Sequence, residues 1–200
     1  MVDLIKRYVN DLKLSLDALN YDSIELIVQK IIDVKNKNNT VFLIGNGGSS
    51  ATPSHSAGDW TKELKIKTIC LTDNASAVTA FANDTSYNNI FKGQLETLLD
   101  EGDIVIGYSG SGNSVSVINA IQYTKKKGNF TIGFTGNYKG GNGGRLAQVA
   151  DISLIIKTES MERIEDVHLI VNHLIKDCIK EYLTKRNEDN LYNNCNNRSN

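Results

Sequence analysis

The stretch VFLIGNGGSS, residues 41–50, decides the fold of this chain. Its first four residues, Val41–Ile44, are apolar and predict a short buried strand. A helical pattern follows over about Thr52–Leu64, with Pro53 near its start. Glycine lets a ligand come close to the backbone, and a helix N-terminus offers free N–H groups to an anion. The segment therefore predicts a strand, an anion-binding loop and a helix, although a plain turn between strand and helix would also fit these residues.

The composition is typical of one globular domain. The chain has 200 residues, of which 40% are hydrophobic and 22% charged, and its net charge is -1. This balance disfavours nucleic-acid binding but is compatible with a small anionic metabolite. No apolar run approaches membrane-spanning length, and the first residues lack a signal-peptide pattern, so we expect no membrane partner. The widely spaced cysteines, Cys70, Cys178 and Cys195, favour a reducing compartment and a cytoplasmic protein without a zinc-finger site.

Apolar strands alternate with helical patterns along the rest of the chain. The predicted strands are Val41–Ile44, Thr68–Leu71, Asp103–Tyr108, Phe130–Thr135 and Ile152–Ile156. The predicted helices cover about Thr52–Leu64, Ser76–Phe81, Tyr87–Leu99, Val115–Lys127 and Ile164–Lys185. Uniformly apolar strands of this kind indicate an α/β fold, a doubly wound parallel sheet of five strands with both faces covered. Ligands of such sheets bind at the carboxyl ends of the strands.

The two ends of the chain differ in character. Helical spacing over about Asp3–Lys37 predicts a pair of N-terminal helices that cover the sheet or contact a partner subunit. Residues 187–200 are rich in asparagine and poor in apolar side chains, which favours a disordered polar tail. We therefore expect one domain over residues 1–186, with the helical pair included.

A second loop, Ser109-Gly110-Ser111-Gly112-Asn113-Ser114, follows the third predicted strand and opens a helix. Hydroxyls and backbone N–H groups together suit a phosphate without a lysine. A flexible turn with an N-cap serine is the alternative. No Gly-Lys-Ser/Thr follows, so this is not a Walker A loop, and Ser50 replaces the third glycine of the dinucleotide fingerprint in the first loop.

Titratable side chains fall near both ends of the predicted fold. His55 and Asp59 are four residues apart and share one face of a helix. The last helix carries Glu162, Glu165, Asp166, His168 and His173. Taken singly, His55 and Asp59 fit a surface pair, the acidic residues fit a favourable interaction with the helix dipole, and His173 fits a core histidine. Two hydroxyl-rich loops and two histidines with carboxylates on one α/β frame indicate an active site.

Four segments resemble the sedoheptulose 7-phosphate isomerases of the sugar isomerase (SIS) domain family. They are the Gly45–Ser49 loop, Asn83-Asp84, the Ser109–Ser114 loop and the run from Arg163 to His173, in the family's order and spacing. The resemblance extends from the N-terminal helices to about residue 185 and implies a flavodoxin-like three-layer sandwich. It further implies conversion of the ketose phosphate to D-glycero-D-manno-heptose 7-phosphate for bacterial surface glycans. The family's homotetramer with interfacial active sites, and one divalent metal per subunit, most often zinc, are implied as well.

The resemblance also assigns roles to residues. The sugar phosphate would meet Asn46, Gly47, Gly48, Ser49, Asn83, Asp84 and Glu165, and its phosphate would meet Ser109, Gly110, Ser111 and Ser114. The metal ligands would be His55, Asp59, Glu165 and His173, with Asp59 as catalytic base and His173 as catalytic acid.

Three positions depart from the family. Asp59 stands where the family has glutamate, Glu165 where it has glutamine, and Gly110 where it has threonine or a similar residue. Two histidines and two carboxylates suit zinc and also harder ions such as manganese. Glu165 and His173 lie about 12 Å apart on a straight helix. They share one metal only if the helix begins after Glu165 or if two subunits contribute.

The leading hypothesis is an aldose–ketose isomerase that moves a proton through an ene-diol of a phosphorylated heptose. A carboxylate would remove the proton next to the carbonyl, and an imidazole would serve the oxygen at the other end. A non-catalytic sugar-phosphate-binding module is a second hypothesis, which the presence of both His55 and His173 disfavours. An isomerase or epimerase for a different sugar phosphate is a third, which the three departures favour.

Overall fold

One parallel sheet forms the centre of the molecule. The structure, a computed structural model, describes the backbone of residues 1–196 and the side chains of residues 1–186. The strands are β1 (Thr40–Gly45), β2 (Lys67–Cys70), β3 (Ile104–Tyr108), β4 (Phe130–Gly136) and β5 (Ile152–Ile156). They pair in parallel in the order β2-β1-β3-β4-β5. The predicted five-stranded, doubly wound sheet is confirmed, and its topological switch point lies between β1 and β3.

Eight α-helices appear in the described part of the chain. They are α1 (Val2–Asp17), α2 (Tyr21–Asn36), α3 (Gly48–Asp59), α4 (Ala75–Asp84), α5 (Lys92–Leu98), α6 (Val115–Lys126), α7 (Gly144–Val149) and α8 (Met161–Asn196). A π-helical turn, Trp60–Leu64, continues α3. The two predicted N-terminal helices are present as α1 and α2. None of the described helices is long and apolar enough to cross a membrane.

Apolar residues on both faces of the sheet explain the layers. On one face α2 and α8 contribute Ile27, Ile31, Val171 and Ile175 to a buried cluster that also contains Trp60. On the other face the core includes buried residues of β1, β3, α5, α6 and α7 and of the segment before α5, among them Phe42, Phe91, Leu95, Ile121 and Leu146. Since α3 and α8 lie on the same face and contact each other, side chains of these two helices can meet.

Several predicted helix limits differ from the structure. Helix α3 begins at Gly48 and contains Pro53, because a proline near a helix start removes only one backbone hydrogen bond, that to the Ser49 carbonyl. The predicted helix Tyr87–Leu99 is divided into a 3₁₀ turn, Tyr87–Asn89, and α5.

The last two helices also differ from expectation. Helix α7 was not predicted, because glycines occupy most of the preceding segment. Helix α8 continues past the predicted end near Lys185 to Asn196, and residues 186–196 contain no glycine or proline to stop it. The predicted disordered tail, residues 187–200, therefore has helical backbone over residues 187–196, and its last four residues lie outside the described residues. The domain limit at residue 186 remains a prediction.

Candidate active site

A pocket of about 250 Å³ lies at the carboxyl ends of β1 and β3. We call it the serine pocket, and its lining comes from both predicted loops and from the start of α8. The lining residues are Asn46, Ser49, Tyr108, Ser109, Gly110, Ser111, Ser114, Met161 and Glu165. The structure thus brings together most of the residues predicted to bind a sugar phosphate, at the switch point where such folds bind ligands.

Asn46 joins the two loops. Its Nδ2 donates to Ser114 Oγ at 2.6 Å and to Ser116 Oγ at 2.8 Å, and its Oδ1 accepts from the hydroxyl of Tyr87 at 2.9 Å. Ser116 and Tyr87 were not predicted from the sequence. Ser116 lies two residues beyond Ser114, so the same short serine-rich run could have indicated it. Asn46 is therefore oriented before any ligand arrives.

Helix α7 supports the second loop from behind. The N–H of Leu146 donates to the Gly112 carbonyl at 2.8 Å, and the N–H of Arg145 donates to Asn113 Oδ1 at 3.0 Å. Gly112 has φ +68°, and a Cβ there would lie 1.8 Å from the Gly143 carbonyl oxygen. Only glycine fits this position, since both the backbone conformation and the space forbid a side chain.

The Glu165 carboxylate occupies the first loop. It lies against Gly48, where a Cβ would be 2.2 Å from Glu165 Oε2, and it accepts a hydrogen bond from Ser49 Oγ at 3.2 Å. Gly47, with φ +55°, allows the chain to turn into α3 here. A carboxylate at a helix N-terminus is favourable. The anion-binding position of the first loop is therefore held by a side chain of the protein itself.

The departure at Gly110 has a local reason. A Cβ at this position would lie 2.2 Å from the sulfur of Met161. Met161 thus occupies the space that a side chain at position 110 would need, and it contributes an apolar wall to the serine pocket.

Asn83 and Asp84 lie apart from these loops. They end α4, and Asn83 Nδ2 donates to Asp84 Oδ1 at 2.8 Å on the exposed surface. Neither residue lines the serine pocket of the same chain. Their predicted contact with sugar hydroxyls stays a prediction.

His55, Asp59 and His173 come together between α3 and α8, and we call them the triad. Their candidate ligand atoms all lie within 4.8 Å of one another. His55 Nε2 is 2.9 Å from His173 Nε2 and 3.5 Å from Asp59 Oδ2. Two imidazoles and one carboxylate with an open side match the ligand set of a catalytic zinc site. In donor chemistry and proximity, the triad fits a divalent metal.

Lys176 is a neighbour of the triad that sequence analysis missed. Its Nζ donates to Asp59 Oδ2 at 2.8 Å and lies 3.4 Å from Glu63 Oε1. The Lys176 ammonium, and less strongly the two histidines, hold the pKa of the Asp59 carboxyl below its usual range. The spacing could have indicated this lysine, because it follows His173 by three residues on the same helix face.

Glu165 does not join the triad within one subunit. Helix α8 begins at Met161, so Glu165 and His173 lie on one continuous helix, about 12 Å apart along its axis. Of the two alternatives left open, a helix that begins after Glu165 is thereby excluded. A shared metal would require the Glu165 of a second subunit, and its assignment as a fourth ligand remains a prediction.

His168 lies in the core behind the serine pocket. Its Nε2 is 3.2 Å from the Thr135 carbonyl oxygen, so the ring donates there, and its ring packs edge-on against Tyr108 and Phe134. Burial lowers the pKa of His168 to about 4, which keeps the imidazole neutral at pH 7. The structure places this histidine among supporting residues, away from the triad.

Comparisons with known proteins agree with this geometry. The SIS domain family model matches residues 6–136. A probable phosphoheptose isomerase of Thermoplasma acidophilum is 38% identical over 88% of this chain and 97% of its own length. The phosphoheptose isomerase of Clostridium acetobutylicum is 34% identical over 86% and 88%. The structure of phosphoheptose isomerase from Neisseria gonorrhoeae superimposes with a TM-score of 0.83 at 26% identity, over 90% of this chain and 96% of that one. The predicted resemblance is thereby confirmed, and the chain belongs to the SIS domain family, where it is similar to the phosphoheptose isomerases.

Proposed function

We propose that this protein is a phosphosugar isomerase that interconverts sedoheptulose 7-phosphate and D-glycero-D-manno-heptose 7-phosphate. The observation that carries the proposal is the serine pocket, which presents hydroxyls and a carboxylate at the switch point of a chain similar to phosphoheptose isomerases. The product would serve bacterial surface glycans, and the enzyme would work in the cytoplasm.

The serine pocket suits the phosphate end of the sugar. Ser109, Ser111 and Ser114 offer hydroxyl donors, and the loop backbone adds N–H groups without a competing lysine. Asn46 and Ser49 would bind the adjoining hydroxyls. The Glu165 carboxylate at the first loop would repel a phosphate there, which favours the second loop as its position.

The triad suits the proton transfers. The Asp59 carboxylate would remove the proton next to the carbonyl, and the His173 imidazole would pass a proton to the oxygen at the other end. His55, Asp59 and His173 would hold a divalent ion, most often zinc in such ligand sets. When bound, such an ion supplies positive charge next to the oxygen on which negative charge develops.

Within one subunit the pocket residue Glu165 and the triad residue His173 lie about 12 Å apart along α8. At about 250 Å³ the pocket is also small for a binding site. We therefore propose a homotetramer in which the triad of one subunit completes the serine pocket of another.

Exposed apolar side chains support this assembly. On α1 the exposed fractions of Leu4, Ile5 and Val9 are 62%, 56% and 44%, and Leu174 on α8 is 39% exposed. Exposed stripes of this kind on two helices are typical of protein interfaces.

A different sugar phosphate is the second candidate substrate. Met161, in the space next to Gly110, gives the pocket an apolar wall that could select another sugar. A coupled assay with sedoheptulose 7-phosphate, with and without added zinc, tests the proposal. We expect conversion that depends on zinc. Turnover of another sugar phosphate, with none of sedoheptulose 7-phosphate, would contradict the heptose assignment, and no turnover of any would favour a binding module.

A further inference from the structure

The ammonium group of Lys176 is hydrogen-bonded to the Asp59 carboxylate of the triad. Asp59 Oδ2 accepts from Lys176 Nζ at 2.8 Å, and the same oxygen is the one nearest His55 Nε2, at 3.5 Å. The Lys176 side chain is only 15% exposed. The ammonium is thus held next to the position where a metal ion would bind.

An ion and this ammonium would repel each other. A zinc ion bound to Asp59 lies about 2.0–2.2 Å from a carboxylate oxygen, so a lysine bonded to the same carboxylate is within a few ångströms of it. Like charges at such distances repel strongly where water screens them little. Glu63 Oε1 lies 3.4 Å from Lys176 Nζ and offers the ammonium another acceptor.

We propose that Lys176 competes with the divalent metal for Asp59, so that the ion binds only when the ammonium moves from Asp59 to Glu63. The inference rests on the metal site of the proposed function. Lys176 then weakens metal binding by competing for Asp59. The stronger the hydrogen bond between Lys176 and Asp59, the lower the metal affinity of this protein.

Zinc titration against a chelating dye tests the inference in the absence of substrate. Lys176→Met and Lys176→Gln remove the charge, and both variants should bind zinc at least about tenfold more tightly than the unchanged protein. Lys180→Met is the matched control. Lys180 is one turn further along α8, lies 3.6 Å from Glu63 Oε2 and is 63% exposed, so its loss should change the affinity by less than about twofold. Equal or weaker zinc binding by the Lys176 variants would overturn the inference, as would the absence of zinc binding from every protein.

A measurement on the unchanged protein avoids any effect of substitution on folding. NMR signals of lysine ammonium groups report their hydrogen-bond partners, and the Lys176→Met variant identifies the Lys176 signal. We expect zinc to shift the Lys176 signal in step with the ring signals of His55 and His173. A Lys176 signal that stays in place while both histidine signals move would contradict the competition. Lack of turnover in the sugar-phosphate assay, with these zinc results intact, would refute the proposed reaction alone.

Discussion

The serine pocket and the triad are two polar regions built in opposite ways. The pocket is held mainly by neutral hydrogen bonds, as between Asn46 and Ser114, and by backbone contacts from α7 to its second loop, with one hydrogen bond to a carboxylate, from Ser49 to Glu165. The triad is held by charge, with Lys176 bonded to Asp59 and two partly exposed imidazoles in contact. Neutral hydrogen bonds keep the pocket fixed before a ligand arrives, whereas the triad can exchange one cation for another. The comparison indicates a rigid binding region and an adjustable reactive one.

Replacement of Asp59 should have the largest effect. Asp59→Asn removes the proposed base and one of the metal ligands, and we expect the turnover number to fall about 10²- to 10⁴-fold. Zinc content should fall as well. Glu96→Gln, which removes another carboxylate paired with a lysine on the surface, serves as the control. Full activity of Asp59→Asn without bound metal would remove Asp59 from both roles.

Loss of the pocket hydroxyls should weaken binding more than chemistry. In a variant with Ser109, Ser111 and Ser114 all replaced by alanine, we expect the Michaelis constant to rise about 100-fold, because hydrogen bonds to a charged phosphate are lost. Ser111→Ala alone should also act mainly on the Michaelis constant. Isothermal titration with the sugar phosphate provides a direct check, and unchanged binding by the triple variant would contradict the phosphate assignment.

A backbone change tests the rigidity of the pocket. Gly112→Ala should lower the free energy of unfolding by about 2–3 kcal/mol, because the new Cβ would meet the Gly143 carbonyl. Gly128→Ala is the matched control, since Gly128 also has a positive φ, +83°, but has nothing within 4 Å of its Cβ position. The control should lose only about 1 kcal/mol. Urea unfolding measures the stability of both variants. Equal losses of unfolding free energy would show that the loop accommodates the new side chain, and would contradict a rigid pocket.

The buried imidazole behind the pocket predicts a pH effect on stability. The pKa of His168 is about 4 in the folded protein, against an ordinary value of 6.5. The unfolded chain then binds the proton more readily than the folded protein. The stability that the neutral His168 ring contributes is therefore fully present above pH 6.5 and is lost as the pH falls toward 4. Between pH 7 and 4.5 we expect a loss of about 2 kcal/mol from this residue. Urea unfolding at both pH values should show a smaller loss for His168→Gln, and equal pH dependence in the two proteins would contradict the assignment.

The sequence revealed the sheet and the serine pocket well because both depend on local patterns. Apolar runs identified every strand, and the loops after β1 and β3 meet because parallel strands end at one edge. The contact of His55 with His173 depends on how α3 and α8 cross, so spacing along the chain did not settle it. The spacing of Lys176 from His173 placed it on the right helix face, but its contact with Asp59, on another helix, could not be predicted from spacing. Helix α7 has only six residues and follows glycines, so it is too short to show a helical pattern in the sequence.

Subunit mixing tests directly whether a serine pocket and a triad from different subunits form one active site. One variant carries His173→Asn, and the other carries the triple serine-to-alanine change, so each homo-oligomer lacks one half of the site. The two variants are unfolded together, refolded as mixed oligomers and assayed with sedoheptulose 7-phosphate, and mass spectrometry verifies that both chains are present. We predict that the mixture regains activity that neither variant has alone, because some sites then combine an intact pocket with an intact triad. Verified mixed oligomers that are no more active than the separate variants would contradict the shared site.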